Sequence, residues 1–323
     1  MDLLVNGHFD EKVLPGAPYM FNDTEINGWT AVNGGQIELW GSGACGIHTH
    51  TYSGNYIELD VYNDATLDGV YQDVATTKGS IYLLTFYMHA RHDSVRLTDN
   101  EALTVEWNGE SLGRFVSSRP NAWTKYQLTV IGTGGLDRLA FLEVSSSGQG
   151  PLLDDVSLYE RTSLLINGLF DEKFNWRPAP YLIKDSNIPG WTSSSSGKIE
   201  LWVSGACGIQ SHTGTGKYIE LDHLREGPLD GVYQDVVATN GQAYILTFYM
   251  RARREAKRTT DDEALTVEWN GVSLGQFIST EPNAWTRYQL SITGAAGLNR
   301  LLFLEVSSDG QGPLLDDVSI IEI

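Results

Sequence analysis

The chain has 323 residues, 41% of them apolar, and a formal net charge of −19 from 41 acids against 22 bases. That balance excludes a nucleic-acid binder, which needs a basic stripe to neutralise phosphates. No apolar run has the length of a membrane-spanning helix, so membrane insertion is not expected.

The chain opens on Leu3-Leu4-Val5-Asn6-Gly7-His8-Phe9-Asp10, an apolar run entering an Asn-Gly turn. Gly28-Trp29 follows, with the indole read as core. Gln36–Trp40 and Tyr56–Asp60 alternate with period two, so Glu38 shares a strand face with Trp40, and Tyr56 shares one with Glu58 and Asp60. Between them Ser42–Ile47 carries Cys45, read as a small buried thiol. Gly69–Val74 carries Gln72, and the aromatic-rich strand Tyr82–Met88 leads to Arg91. Leu103–Trp107 alternates again, with Trp107 on the apolar side, and Asn108-Gly109 then gives a two-residue hairpin signal, because both residues tolerate positive φ. Gly109–Gly113 spells G-x-S-x-G but leads into strand, not helix, so it reads as a hairpin return and not as a nucleophile elbow. Trp123 is read as core, and Leu152-Leu153-Asp154-Asp155-Val156-Ser157 closes the run.

The whole series then returns. The opening recurs as Leu164-Leu165-Ile166-Asn167-Gly168-Leu169-Phe170-Asp171, and the close as Leu314-Leu315-Asp316-Asp317-Val318-Ser319. A repeat of about 160 residues is too long for a solenoid unit and large enough to bury its own core. Two domains are expected, at 1–161 and 162–323. The single cysteine of each copy, Cys45 or Cys207, has no partner for an intradomain disulfide. Many short strands, frequent turns and no amphipathic helix give an all-β fold class, with two tandem β-sandwiches.

The opening motif, the Gly-Trp pair, Gly-Val-Tyr-Gln-Asp-Val and the closing Leu-Asp-Asp-Val-Ser together resemble the galactose-binding-like jelly rolls. The nearest in kind are family 4/9 carbohydrate-binding modules and bacterial adhesin domains. The resemblance covers both copies and implies non-catalytic glycan binding with a structural calcium ion (Ca2+). It implies that the opening acid and a closing Asp share that ion: Asp10 with Asp154 or Asp155, and Asp171 with Asp316 or Asp317. The family usually has Glu where this chain has Asp10 and Asp171, and Glu11 and Glu172 follow directly.

A glycan site is expected on the polar strand faces. Glu38, Trp40, Glu58, Asp60, Gln72 and Arg91 recur as Glu200, Trp202, Glu220, Asp222, Gln234 and Arg253. An indole floor ringed by carboxylates, amide and guanidinium suits the C–H faces and hydroxyl edges of a sugar. The competing reading of the same residues is a buried Arg–Glu brace. The histidines do not fit zinc, since His48-Thr49-His50 becomes Gln210-Ser211-His212. The function expected is a bivalent, calcium-associated, lectin-like or adhesin-like binder of glycans or polysaccharide. The alternatives are a protein-interaction or toxin component and, behind it, a glycosidase using Glu38 and Glu58. An extracellular or cell-surface location is expected. With no signal peptide in the chain, a cytoplasmic or non-classically exported protein stays open, as does self-association into a homo-oligomer.

Overall fold

The computed structural model describes residues 1–14, 18–61, 66–91, 101–117, 122–144, 150–172, 177–221, 228–253, 263–279, 283–306 and 312–323. The chain forms two compact units, Met1–Arg161 and Thr162–Ile323. The first contains β1 (Pro18–Asn22), β2 (Thr30–Ala31), β3 (Gln36–Gly41), β4 (Asn55–Glu58), β5 (Gly69–Ala75), β6 (Ile81–Ala90), β7 (Ala102–Trp107), β8 (Glu110–Val116), β9 (Thr124–Ile131), β10 (Leu136–Glu143) and β11 (Pro151–Arg161). A six-stranded sheet runs β1-β3-β4-β11-β6-β9 and a five-stranded sheet β2-β5-β10-β7-β8. The second unit repeats both orders, from Pro180–Lys184 to Leu314–Glu322. The fold is an all-β sandwich in each unit.

Period-two alternation builds the main core. Ile37, Leu39, Ile57, Phe86 and Met88 from one sheet meet Val70, Val105, Leu139 and Phe141 from the other, and Trp29 and Trp107 join them. A smaller cluster lies on the opposite face of the six-stranded sheet. There Trp40, Tyr56 and Leu152 are covered by Ala44 and Ile47, with Trp123 at the margin. The segment after β3 folds back to make this cover: Gly43 N donates to Ile47 O at 2.8 Å, and Trp123 Nε1 donates to His48 O at 2.8 Å. The same cover recurs over Trp202, Tyr218 and Leu314. Trp123 and Trp285 are thus half-buried rims of a satellite cluster. Cys45 and Cys207 are exposed free thiols, not buried ones. Each sits at positive φ, 47° and 48°, in a tight turn of the cover.

The two ends of each unit are pinned together. Val156 N donates to Gly7 O at 2.9 Å, and a Cβ on Gly7 would lie 1.9 Å from Val156 O. A bulge in β11 between Asp154 and Ser157, with Asp155 at φ 47°, breaks the alternation there. Asn108 (φ 53°) and Gly109 (φ 80°) join β7 to β8 as the hairpin turn expected from sequence, and Ser111 lies on β8.

Candidate functional site

The expected indole floor is not open. Trp40 and Trp202 are both 0% exposed. Each is stacked on a tyrosine of the next strand, Tyr56 or Tyr218, with centroids 5.9 Å apart. Each is capped by a guanidinium, Arg91 at 5.0 Å and Arg253 at 4.9 Å from the ring centroid. The alternation placed these residues outward correctly, but the cover after β3 seals that face. Glu58 and Glu220 are buried too. Arg91 Nη1 donates to both oxygens of Glu58 at 2.8 and 3.0 Å, Gly150 N adds a bond at 2.8 Å, and Arg253 and Gly312 repeat the arrangement on Glu220. Burial pushes the Glu58 carboxyl up to about 7 against the pull of Arg91. Burial, then the charge of Glu200, pushes Glu220 up to about 8. Glu38 and Glu200 are half-buried and lie directly across from Glu58 and Glu220 in the ladder. These residues form the Arg–Glu brace.

Gln72 and Gln234 sit on the other sheet and serve as clasps. Gln72 Oε1 accepts from Val5 N at 2.7 Å and its Nε2 donates to Val5 O at 3.0 Å; Gln234 binds Ile166 in the same way. The buried amide is spent on backbone, not offered to a ligand. Asp60 is 2% exposed and belongs to a separate carboxylate group described below. Asp222 lies outside the described residues.

The opening acid does come near the closing pair: the charge of Asp10 is among those acting on Asp154. The donors around these carboxylates are the chain's own. Asp10 accepts from Asn55 N at 2.7 Å, and Asp154 accepts from His50 N at 3.0 Å and from Asp155 N at 2.7 Å. Asp155 contacts the imidazoles of His8 and His50 through its two oxygens. In the second unit Asp316 accepts from His212 N and Asp317 N, and Asp317 pairs with His212. Lys217 N donates to Asp171 at 2.7 Å, and its Nζ donates to the Asp171 carbonyl at 2.9 Å. Burial, then the neighbouring Asp155 charge, pushes Asp154 up to about 8; Asp316 is driven up for the same reasons. A hard cation needs free oxygens. At the closing pair, imidazoles already occupy oxygens that a cation would need, and in the second unit the Lys217 ammonium takes the Asp171 carbonyl.

Two other groups were not legible as sites. The first lies on the outer face of the five-stranded sheet. Asp73 on β5 stands opposite Arg138 on β10. Arg138 Nε and Nη2 donate to its two oxygens at 2.7 and 2.8 Å, and the guanidinium lies over the Tyr71 ring, 3.8 Å from its centroid. The second unit repeats this with Arg300, Asp235 and Tyr233 at 2.7, 2.6 and 3.9 Å. Both arginine side chains are 49% exposed. The arginine hydrogen bonds hold Asp73 and Asp235 below the usual carboxylate range. Thr104 and Glu106 on β7 extend the face, since Ala140 pairs with Tyr71 on one side and Glu106 on the other. The signal available in sequence was the Tyr-x-Asp spacing kept on exposed strand positions of both copies.

The second group is a trio of buried acids. Asp60, Asp68 and Glu143 each bring one carboxylate oxygen to a common point, the three within 4.8 Å of one another. They meet where β4 ends, β5 begins and β10 ends. In the second unit Asp230 and Glu305 occupy the matching places.

Among curated proteins, 171 residues of the chain, 52% of it, are 29% identical to the multifunctional-autoprocessing repeats-in-toxin protein of Vibrio cholerae serotype O1. The match to the protein of that name from Vibrio vulnificus is 28% over the same length. The chain spans about 3% of the length of each. Among solved structures it is similar to a tandem pair of family 22 carbohydrate-binding modules from Paenibacillus barcinonensis, at 14% identity and TM-score 0.29, covering 100% of this chain and 98% of that one. A family 35 carbohydrate-binding module from Clostridium thermocellum matches 44% of the chain and 97% of its own length, at 16% identity and TM-score 0.30. These likenesses are too remote to say what the chain binds. A family profile fits residues 2–159 and again residues 163–321, so the chain belongs, twice over, to the family described as protein of unknown function, DUF642.

Proposed function

We propose that each unit binds carbohydrate without transforming it, on the outer face of its five-stranded sheet. One observation carries this reading: the exposed Tyr–Arg–Asp stack is built with the same geometry in both units. An exposed ion pair adds little to stability, so folding alone does not call for it. A guanidinium pinned by a carboxylate over a phenol ring is a rigid, flat platform. Sugar C–H groups stack on such a plane, while Asp73, Thr104 and Glu106 offer partners to the hydroxyls. The resemblance of the opening and closing motifs to carbohydrate-binding modules points the same way, and a glycan ligand fits a cell-surface or extracellular setting. The non-catalytic reading is supported by Glu58, which is 1% exposed with both oxygens held by Arg91. A carboxylate so held has no access to a glycosidic bond.

A glycan array tests this with the parent chain and the Arg138→Ala/Arg300→Ala double variant. Retention of at least one glycan class by the parent, lost about tenfold or more in the variant, is the expected result; removing a charge-assisted contact supplies a loss of that order. A parent that binds no glycan but captures a protein would favour the interaction-component reading, and a variant that binds as well as the parent would move the site elsewhere.

A further inference from the structure

We infer that the first unit holds a calcium ion between Asp60, Asp68 and Glu143, at the end of the sandwich where β4, β5 and β10 converge. The three residues are 2%, 2% and 1% exposed. Backbone contacts lock them in place: Asp68 N donates to Glu143 Oε1 at 2.8 Å, Glu143 N donates to Asp68 O at 3.0 Å, and Val61 N donates to Asp68 Oδ2 at 3.0 Å. Gly150 closes against Asp60 so tightly that a Cβ there would lie 2.4 Å from the Asp60 Cβ. The acids are therefore placed by the fold and cannot simply swing apart.

Glu143 supplies an observation separate from the crowding of acids. Its Oε2 is fully buried and meets no N–H donor, and the side chain that Glu143 faces is another carboxyl, that of Asp60. A carboxylate oxygen sealed from water without a donor is costly. A cation meets that need directly. Calcium suits such a sealed set better than magnesium, because it binds in flexible geometry to carboxylate and backbone oxygens, whereas magnesium gives up its water reluctantly and keeps several waters around it. An all-oxygen set does not suit zinc in a structural site. The same framework recurs in the second unit, where Asp230 N donates to Glu305 Oε1 at 2.6 Å and Glu305 N to Asp230 O at 2.9 Å.

Burial, with the charges of Asp60 and Asp68 adding to it and the Asp68 N–H opposing, pushes the Glu143 carboxyl up to about 8. The competing arrangement is thus a trio that shares protons and needs no metal. Calcium titration of the chelator-stripped full chain separates the two, read by calorimetry and by thermal melting, with Glu143→Gln and Asp155→Asn beside the parent. The expected result is calcium uptake and a melting point several degrees higher in the parent, one equivalent fewer in Glu143→Gln, and no loss in Asp155→Asn. A parent whose melt is the same in calcium and chelator overturns the inference even if Glu143→Gln fails to fold. So does an equivalent lost in Asp155→Asn and kept in Glu143→Gln, which would return the ion to the closing Asp pair. No sugar enters the experiment, so its outcome is independent of the glycan reading.

Discussion

Trp40 illustrates how one residue changes meaning between strand pattern and fold. With the ring buried beneath the Ala44–Ile47 cover, Trp40→Ala leaves a cavity and not a missing sugar platform. It should cost about 3–5 kcal/mol, as large aromatic truncations in cores do, measurable by urea unfolding, while the folded fraction keeps its glycan retention. A normal midpoint with lost retention would restore the indole to the binding site. The buried carboxylates give a second residue-level expectation. Glu58 is raised to about 7, and Glu143, Asp154 and Glu220 to about 8. Carboxyls raised above their unfolded values of about 4 stabilise the fold fully only below that value, and the contribution is lost as pH rises through 7 to 8. In chelator, the melting point should therefore fall between pH 6 and pH 9. Asp73 and Asp235 are shifted the other way and act only in acid, outside that window. A melting point flat or rising across it would contradict the burial of these groups.

At the scale of elements, the join between the opening loop and β11 has no slack. A side chain at Gly7 or Gly168 would run into the carbonyl of Val156 or Val318 at 1.9 Å. Gly7→Ala and Gly168→Ala should each destabilise their unit by about 1–3 kcal/mol through forced backbone shifts. A calorimetric scan would show one lowered transition or an early shoulder; an unchanged scan would mean that the loop relaxes freely. The strands themselves were legible because alternation, Asn-Gly and the closing motif are local signals. Period two located Glu38, Trp40 and Glu58 on one face, and that placement holds. What it does not encode is what covers the face. The cover comes from Ser42–Ile47, whose positive-φ turn has no hydrophobic period to reveal it. The Tyr71–Arg138 stack escaped for the converse reason. Its partners are 65 or more residues apart, and cross-strand register, which alone brings them together, is set by tertiary pairing.

For the whole molecule, duplication matters through linkage. If both faces bind glycan as proposed, the second binding event becomes intramolecular, with gains of about 10²–10⁴ in apparent affinity where both can reach the ligand. Arg138→Ala alone and Arg300→Ala alone should each retain binding to a short oligosaccharide at the intact face. Each should dissociate much faster than the parent from an immobilised polysaccharide. Equal off-rates for parent and single variants would mean that the faces never engage one polymer together. The exposed cysteines open a route to the geometry behind this. Cys45 and Cys207 project from equivalent turns, one on each unit, and are the chain's full complement of thiols. Maleimide chemistry would therefore install one fluorophore or spin label per lobe without any engineering, turning the native chain into its own molecular ruler for the separation of its halves.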